Sequence, residues 1–328
     1  VVAVGGFETH IDWNVSGVIY LSPQQQAYLG YRIIKLLPEN SFVRKSVGYL
    51  FAIQHGAVRI YDADENASIV EDDLNNAFDL ELSGANSRRE PLLQYLSLPN
   101  RTCVNPYIHF GQRSVWRGLP LSLVGKIEPE IAYGQAFSGK QFIQQGISRG
   151  LPDVDSIFYN TRKSGIEPFV IDFDSHAPTV AIPQGTMAPV NSLNTLFHSA
   201  AFWGLMLPVS VSTKSSDILR GYWAQRLLWE VGGQLTIHPP FAYRIDRISS
   251  PPYAAEKDLH KNVDKLTKFL VSWRSKKLSL FQKALHLSHS MAEEGYWTAQ
   301  DVIYTAAWLQ DLLSVGYIQP RVVALELE

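Results

Sequence analysis

The sequence predicts an α/β fold that ends in a helical region. Apolar segments in roughly the first 65 residues alternate between strand-like and helix-like spacing, which is typical of a sheet with helices on its faces. Residues from about 254 onward have helical periodicity alone. The composition, with 46% hydrophobic and 18% charged residues, is sufficient to bury a large core.

The strand–helix–strand order begins at the first residue. The short apolar runs Val1–Val4 and Val18–Leu21 predict strands. A helix is predicted from Ser22, which precedes a proline suited to the first helical turn, to about Leu37. A second helix is predicted over Ser41–His55, and the strand Ala57–Tyr61 follows it. Because helices separate the strands, we expect a parallel sheet that binds ligands at the carboxyl ends of its strands.

The middle of the chain, residues 80–190, is irregular and rich in proline, glycine, asparagine and arginine. Long loops of this kind usually carry function. Regular elements are predicted again from Thr179–Pro183, which has the pattern of a strand. A helix over Ser215–Val231 follows, and then a strand over Gln234–His238 that we expect Pro239 and Pro240 to stop.

The helical region contains three predicted helices. The first has apolar residues on one face, at Leu259, Val263, Leu266, Leu270 and Trp273. The second covers Ser279–Glu294, and the third begins at Thr298, with Asp301 in capping-box spacing. The predicted core face of the third helix is Val302, Ala306, Leu309 and Leu313. We therefore predict an α/β domain over residues 1–250 and a helical extension over residues 251–328 packed on it.

The charge balance argues against one class of partner. The chain has 29 basic and 31 acidic residues, a net charge of −2. A general nucleic-acid binder needs a basic surface to neutralise phosphates, so we expect no nucleic-acid partner.

The single cysteine, Cys103, rules out an intrachain disulfide, and we expect it to be a small buried residue. Sequons for N-glycosylation occur at Asn14, Asn66 and Asn100, and their use stays open. No apolar run reaches the roughly 18 residues that predict a membrane span. Because the chain opens on an apolar strand without an initiator methionine, we expect an excised domain with any anchor upstream.

Two carboxylates at a predicted strand end are the strongest local signal. Asp62 and Asp64 are two residues apart, directly after the strand Ala57–Tyr61. Such a pair can hold Mn²⁺ or Mg²⁺, which prefer oxygen ligands and often share them with substrate phosphates. A metal there would stabilise a departing nucleoside diphosphate. The alternative is a solvated acidic turn.

Asp217 lies near the opening of the predicted long helix. It is a candidate general base that would deprotonate an acceptor hydroxyl. The alternative is a first-turn carboxylate that the helix dipole favours.

Other catalytic patterns are missing from the sequence. The nine histidines form no metalloprotease spacing, and no dinucleotide, P-loop or hydrolase motif occurs. Basic residues that could hold a diphosphate flank the aspartate pair or lie in the irregular middle: Arg44, Lys45, Arg113, Arg117, Lys140, Arg149 and Arg162.

Several long strings resemble one protein family. These strings are Ser41–Ala57, Asn105–Trp116, Gly139–Ser148, Leu151–Ser156 and Ala201–Thr213, and the resemblance extends from about Asp12 to Leu327. They resemble the STELLO family. The resemblance implies a glycosyltransferase-like domain of the GT-A type, located in the Golgi lumen as part of a single-pass membrane protein. In plants it implies association with cellulose synthases.

A fainter similarity joins Leu151–Asp155, Ile182–Thr186 and Asp217–Trp223 to the reversibly glycosylated polypeptides, which are UDP-arabinopyranose mutases. It implies that Asp62 and Asp64 bind the metal and diphosphate, and that Asp217 lies near the acceptor. The histidine that completes the metal shell in that family is missing from the matching stretch, residues 243–247, so His238, Asp246 or His260 is the substitute, with His260 preferred. Further donor-binding residues expected from the resemblance are Arg44, Lys45, Asn105, His109, Arg113, Lys140, Asp153, Asp155 and Arg244.

Two functional hypotheses follow. The first is a Mn²⁺-dependent or Mg²⁺-dependent glycosyltransferase that binds UDP or a UDP-sugar. The second is a catalytically weak or inactive scaffold that acts by binding cellulose synthase or another Golgi partner, and a mutase-like isomerase is a distant third. Homo-oligomerisation, the donor sugar and the acceptor stay open.

Overall fold

The computed structural model describes residues 1–9, 13–63, 67–70, 74–82, 91–124, 133–162, 170–245 and 253–323. Three residues singled out above, Asp64, Asn66 and Asp246, lie outside these described residues.

The described strands belong to two sheets, and their bounds in chain order are as follows. They are β1 (Val2–Val4), β2 (Ile19–Leu21), β3 (Arg59–Ala63), β4 (Ala67–Ile69), β5 (Pro91–Tyr95), β6 (Tyr133–Phe137), β7 (Ile143–Gly150), β8 (Val180–Ile182), β9 (Asn194–His198) and β10 (Leu235–Arg244).

The α-helices in the described residues are placed before, between and after these strands. They are α1 (Pro23–Tyr28), α2 (Lys45–Gln54), α3 (Leu74–Ala77), α4 (Ser156–Arg162), α5 (Thr213–Leu228), α6 (Lys257–Ser272), α7 (Leu280–Glu293) and α8 (Ala299–Ser314). Among the described residues, no helix combines the length and the apolar character needed to cross a lipid bilayer.

The main sheet is mixed and has eight strands in the order β3-β9-β7-β10-β8-β5-β6, with β4 paired to β10. Strand β9 is antiparallel to both β3 and β7, while β7 and β10 are parallel. Strands β3, β7 and β10 therefore run in one direction, and their carboxyl ends meet at one edge of the sheet. The α/β prediction, a mixed sheet flanked by helices with a helical cap, is confirmed.

The expected sheet in the first 65 residues is wrong in detail. Strands β1 and β2 pair in parallel with each other in a separate two-stranded sheet, and β3 joins the main sheet beside the antiparallel β9. The partner of β3 is a segment more than a hundred residues away, which local spacing does not indicate.

Two predicted boundaries also differ. The first helix ends after Tyr28 because Gly30 adopts a left-handed backbone conformation, with φ at 73°, and the chain continues as the 3₁₀ segment Arg32–Leu36. Strand β10 passes through Pro239 and Pro240 to reach Arg244. Its register with β7 shifts between His238 and Ala242, so the two prolines occupy an irregularity in the ladder.

The long helix α5 is buried along nearly its whole length and forms the link between sheet and cap. Helices α6 and α7 contact α5, and α8 contacts α7, α2 and the segment Arg32–Leu36. The apolar side chains of these elements belong to one continuous core. The predicted face of α8 is partly wrong, because Leu313 is exposed while Tyr304, Trp308 and Leu312 are fully buried. The carboxylate of Asp301 accepts hydrogen bonds from the loop residues Val209 and Ser210.

Candidate functional site

The predicted acidic residues that are described lie around the shared carboxyl edge of β3, β7 and β10. Asp62 is the last residue but one of β3, and Asp153 and Asp155 follow the end of β7. Asp217 lies in the first turns of α5. The sequence-based expectation that Asp62 lies at a strand end is confirmed, and the ligands of α/β sheets bind at such edges.

Asp62 is fully buried and paired with two cations. Its Oδ1 lies 2.5 Å from the Lys45 ammonium, and its Oδ2 lies 3.1 Å from the Arg220 guanidinium. Lys45 Nζ also donates to the backbone carbonyls of Ala63 and Ser192, which fixes it at the end of β3. Asp62 is therefore part of an ion-pair network that joins α2, β3 and α5.

This pairing bears on the predicted metal. Both carboxylate oxygens of Asp62 already face a positive group, so the observed arrangement leaves no oxygen of Asp62 directed at a metal ion. A cation bound by Asp62 would have to displace the Lys45 ammonium. The described residues therefore do not fit a metal on Asp62, and Asp64 lies outside them.

Arg117 is the centre of a second network. Its guanidinium lies 3.1 Å from Asp153, 3.0 Å from Asp155, 3.2 Å from Glu256 and 4.0 Å from Asp217. Burial lowers the pKa of Arg117, but the four carboxylates outweigh it and hold that pKa well above its ordinary value. The guanidinium is thus permanently charged and fixes the carboxylates of three separate segments.

Asp217 is positioned to exchange a proton. Burial raises the pKa of its carboxyl group to about 6, against the opposing effect of Arg117, and the nearby Asp153 raises it further. The backbone N–H of Ser192 donates to its Oδ2 at 3.3 Å. A carboxyl group whose pKa lies near neutrality is suited to general-base chemistry.

A small cavity lies beside Arg117 and Asp153, with a volume of about 20 Å³. That volume admits about one water molecule, so a nucleotide would have to extend beyond it along the edge of the sheet. Its other lining residues come from the irregular middle, from β7 and from the loop before β9: Asn105, Pro106, Tyr107, Gln145, Gly146, Ile147, Ser148, Pro189 and Asn191, with Ile218 and Ile237.

Some predicted donor-binding residues lie apart from these networks. Arg44 is buried and donates to Gln26 and to the carbonyl of Pro38. The ring nitrogens of His109 lie 2.6 Å from the Tyr133 hydroxyl and 2.7 Å from the Pro178 carbonyl, and burial lowers its pKa.

The remaining predicted donor contacts are more dispersed. Arg113 and Lys140 are exposed. Asn105 lines the cavity and donates to the carbonyl of Val115. Arg244 ends β10 at the shared edge. The structure thus brings together Lys45 with Asp62, and Asp153 with Asp155 and Asp217. The donor-binding roles themselves stay predictions.

His260 lies with different partners than the predicted metal set. It is on the first turn of α6, and its Nε2 is 3.5 Å from Glu256. Ligand atoms of Asp155, Glu256 and His260 lie within 4.8 Å of one another. Asp62, in contrast, contacts Lys45 and Arg220.

Sequence reasoning missed three members of the two networks. Arg220 and Glu256 were not selected, and Arg117 appeared only within a group of basic residues. Arg220 follows Asp217 by three positions on a helix, which puts both on one face, but its partner Asp62 is 158 residues away. Glu256 and His260 have the four-residue spacing of a helical pair, which was a usable signal.

Comparison with known proteins gives two strong similarities, although no protein-family model matches the chain. The chain is 62% identical over 330 aligned residues to a protein of Arabidopsis thaliana named "Probable glycosyltransferase STELLO1". It is 61% identical over the same length to "Probable glycosyltransferase STELLO2" of that plant. Both alignments cover all of this chain and 43% of the relative, so the chain spans less than half the length of either protein.

Proposed function

Because the chain belongs to the STELLO family, we propose that it forms a glycosyltransferase domain that binds a nucleoside-diphosphate sugar, most simply a UDP-sugar. The relatives are named as probable glycosyltransferases, which supports a glycosyltransferase-like function. The observation that carries the donor proposal is the meeting of Lys45, Asp62, Arg117 and Asp217 around the edge where β3, β7 and β10 end.

The proposed chemistry uses residues at this edge. Asp217, with a pKa of about 6, is ionised at neutral pH and would accept the proton of an acceptor hydroxyl. Arg117, 4.0 Å from Asp217, would fix the orientation of that carboxylate. The Lys45 ammonium is the partly exposed cation of the Asp62 network, so it is the group that can turn to a diphosphate.

Mn²⁺ or Mg²⁺ remains the cofactor predicted from the Asp62–Asp64 spacing. The pairing of Asp62 with Lys45 and Arg220 does not favour it, and we assign no step of the reaction to a metal.

That same pairing supports a second candidate function. An Asp62 that is neutralised by two cations, beside a cavity with room for about one water molecule, fits a catalytically weak or inactive fold that acts by contact with a partner. In that case we propose that the chain acts in the Golgi lumen, as part of a single-pass membrane protein, and binds cellulose synthase subunits in a plant cell.

Calorimetric titration of UDP into the 328-residue chain separates these proposals. Titrations with and without Mn²⁺ are compared for the unchanged protein, Asp62→Asn and Lys45→Met. Glu81→Gln is the control, since Glu81 forms an exposed ion pair with Arg59. Circular dichroism spectra establish that each variant is folded.

Each outcome selects one proposal. Binding that requires Mn²⁺ and is lost in Asp62→Asn supports the metal at the aspartate pair. Binding without Mn²⁺ that weakens in Lys45→Met supports direct recognition of the diphosphate by this cation. Heat signals absent from the folded, unchanged protein under both conditions overturn the donor proposal and favour the scaffold.

A further inference from the structure

Three buried residues from two distant parts of the chain point their ligand atoms at one spot. Asp155 lies between β7 and α4, Glu256 is the N-cap residue of α6, and His260 lies one turn further along α6. One ligand atom of each lies within 4.8 Å of the other two. The side chain of Asp155 is 0% exposed, that of Glu256 3% and that of His260 2%.

The hydrogen bonds of the cluster leave one side of it unsatisfied. Asp155 Oδ1 accepts from Arg117 at 3.0 Å and from the backbone N–H of Gly118 at 2.9 Å, whereas its Oδ2 is buried without a hydrogen-bond partner. Glu256 Oε1 faces Arg117 at 3.2 Å, and its Oε2 accepts from the backbone N–H of Ser156. Arg117 thus holds one oxygen of each carboxylate and leaves the other oxygen on the side of His260.

His260 supplies the independent observation. Neither of its ring nitrogens has a hydrogen-bond partner, although the ring is buried. The ring of Tyr253 stacks on it with an angle of 9° between the planes, which fixes its orientation. A buried imidazole with both nitrogens unsatisfied is costly, and a bound cation would use the nitrogen that faces Glu256.

The charge around the cluster is also unbalanced. Arg117 is the guanidinium that contacts all four carboxylates of the network, those of Asp153, Asp155, Asp217 and Glu256. Burying an excess of negative charge is expensive unless further positive charge lies within the same network. A divalent cation beside Asp155 and Glu256 would offset this excess.

We propose that Asp155, Glu256 and His260 bind a divalent transition-metal ion that fastens α6 to the segment after β7. Two carboxylates and an imidazole favour Zn²⁺ or Mn²⁺ over Mg²⁺ and Ca²⁺, which take oxygen ligands. Arg117 and Gly118 orient the carboxylates from behind, as second partners of metal ligands commonly do. The site is separate from the Asp62–Asp64 pair, and the inference does not depend on the proposed sugar transfer.

The test is metal-dependent stability of the full 328-residue chain. Protein stripped with a chelator is dialysed against Zn²⁺, Mn²⁺ or Mg²⁺, and its metal content and thermal unfolding are measured. We expect about one Zn²⁺ or Mn²⁺ per chain and a rise in Tm of roughly 5 °C at a hundredfold excess over Kd. Mg²⁺ should have little effect.

Variants locate the ion. His260→Gln and Asp155→Asn should abolish the metal-dependent rise, while the exposed His289→Gln should keep it. The double change Asp62→Asn, Asp64→Asn should also keep it, which separates this site from the one predicted for the nucleotide. If His260→Gln fails to fold, Glu256→Gln takes its place. A stripped, folded wild-type protein that gains no Tm with Zn²⁺ or Mn²⁺ overturns the proposal, as does a His260→Gln protein that responds fully.

Discussion

Arg220 and Asp62 form a fully buried ion pair, with 3.1 Å between the guanidinium Nη1 and the carboxylate Oδ2. The two residues belong to α5 and β3, which are far apart in sequence, and neither side chain is exposed. The Arg220 guanidinium also donates to the backbone carbonyl of Asn191 and lies over the ring of Phe197. The pair therefore fixes the position of the long helix against the edge strand of the sheet.

Replacing Asp62 should be strongly destabilising. Asp62→Asn leaves the Arg220 charge buried with a weaker partner, and loss of one member of a buried pair costs about 3–5 kcal/mol. Glu81→Gln, in the exposed pair with Arg59, should change the free energy of unfolding by no more than about 0.5 kcal/mol. Urea unfolding of the three proteins measures both effects, and equal losses in the two variants would contradict the structural role of Asp62.

Arg117 should be the more sensitive of two nearby arginines. Arg117→Met removes the cation that four carboxylates share, and we expect a loss of at least about 3 kcal/mol. Arg113→Met is the matched control, because Arg113 is exposed, and it should stay within about 0.5 kcal/mol of the unchanged protein. Chemical unfolding monitored by tryptophan fluorescence compares them, and a stable Arg117→Met protein would remove Arg117 from the centre of the network.

Asp217 should make stability depend on pH. Its folded-state pKa of about 6 lies above its ordinary value of 3.8, so the folded protein binds the proton more tightly than the unfolded chain does. The resulting stabilisation is fully present below pH 3.8 and is lost as the pH rises through about 6. The groups that face this carboxyl are Arg117, Asp153, Arg220 and the backbone N–H of Ser192.

The Asp217→Asn variant isolates this effect from other titrating groups. Relative to that variant, the unchanged protein should lose about 3 kcal/mol of stability between pH 4 and pH 7. Urea unfolding at a series of pH values measures the difference. Parallel pH profiles for the two proteins would show that the carboxyl of Asp217 titrates normally.

Gly118 should not tolerate a side chain. Its φ is 61°, and an added Cβ would lie 2.7 Å from Cγ2 of Ile218 on α5. Gly118→Ala should therefore cost about 2–4 kcal/mol, from backbone strain together with overpacking. Gly17 also has a positive φ but faces open space, so Gly17→Ala should cost only about 1–2 kcal/mol. Comparable Tm values for the two variants would contradict the close approach of Gly118 to α5.

The elements that sequence reasoning predicted well are those with local signals. Capping residues and apolar spacing placed α6, α7 and α8 to within a few residues, because a helix closes its hydrogen bonds within its own segment. Sheet pairing was predicted poorly. The neighbour of β3 is β9, and β10 continues through two prolines, since both outcomes depend on partners distant in sequence.

The candidate site shows the same division. Asp62 and Asp217 were found because each lies beside a predictable strand end or helix start. Arg220, Glu256 and the central role of Arg117 were not, since their importance arises only when separate segments meet. The partners of His260 were likewise set by the docking of α6, and residue type alone could not reveal them.

Asp311 on α8 accepts hydrogen bonds from the Arg32 side chain and from the backbone N–H of Ile33, both at 3.0 Å. A buried carboxylate near residue 311 thus completes the backbone of a segment near residue 33. Neither stretch can detach without leaving a buried polar group unpaired. Residues at the two ends of the described chain should therefore melt together, in one cooperative transition, and limited proteolysis in the native state should not release the helical extension as an independent fragment.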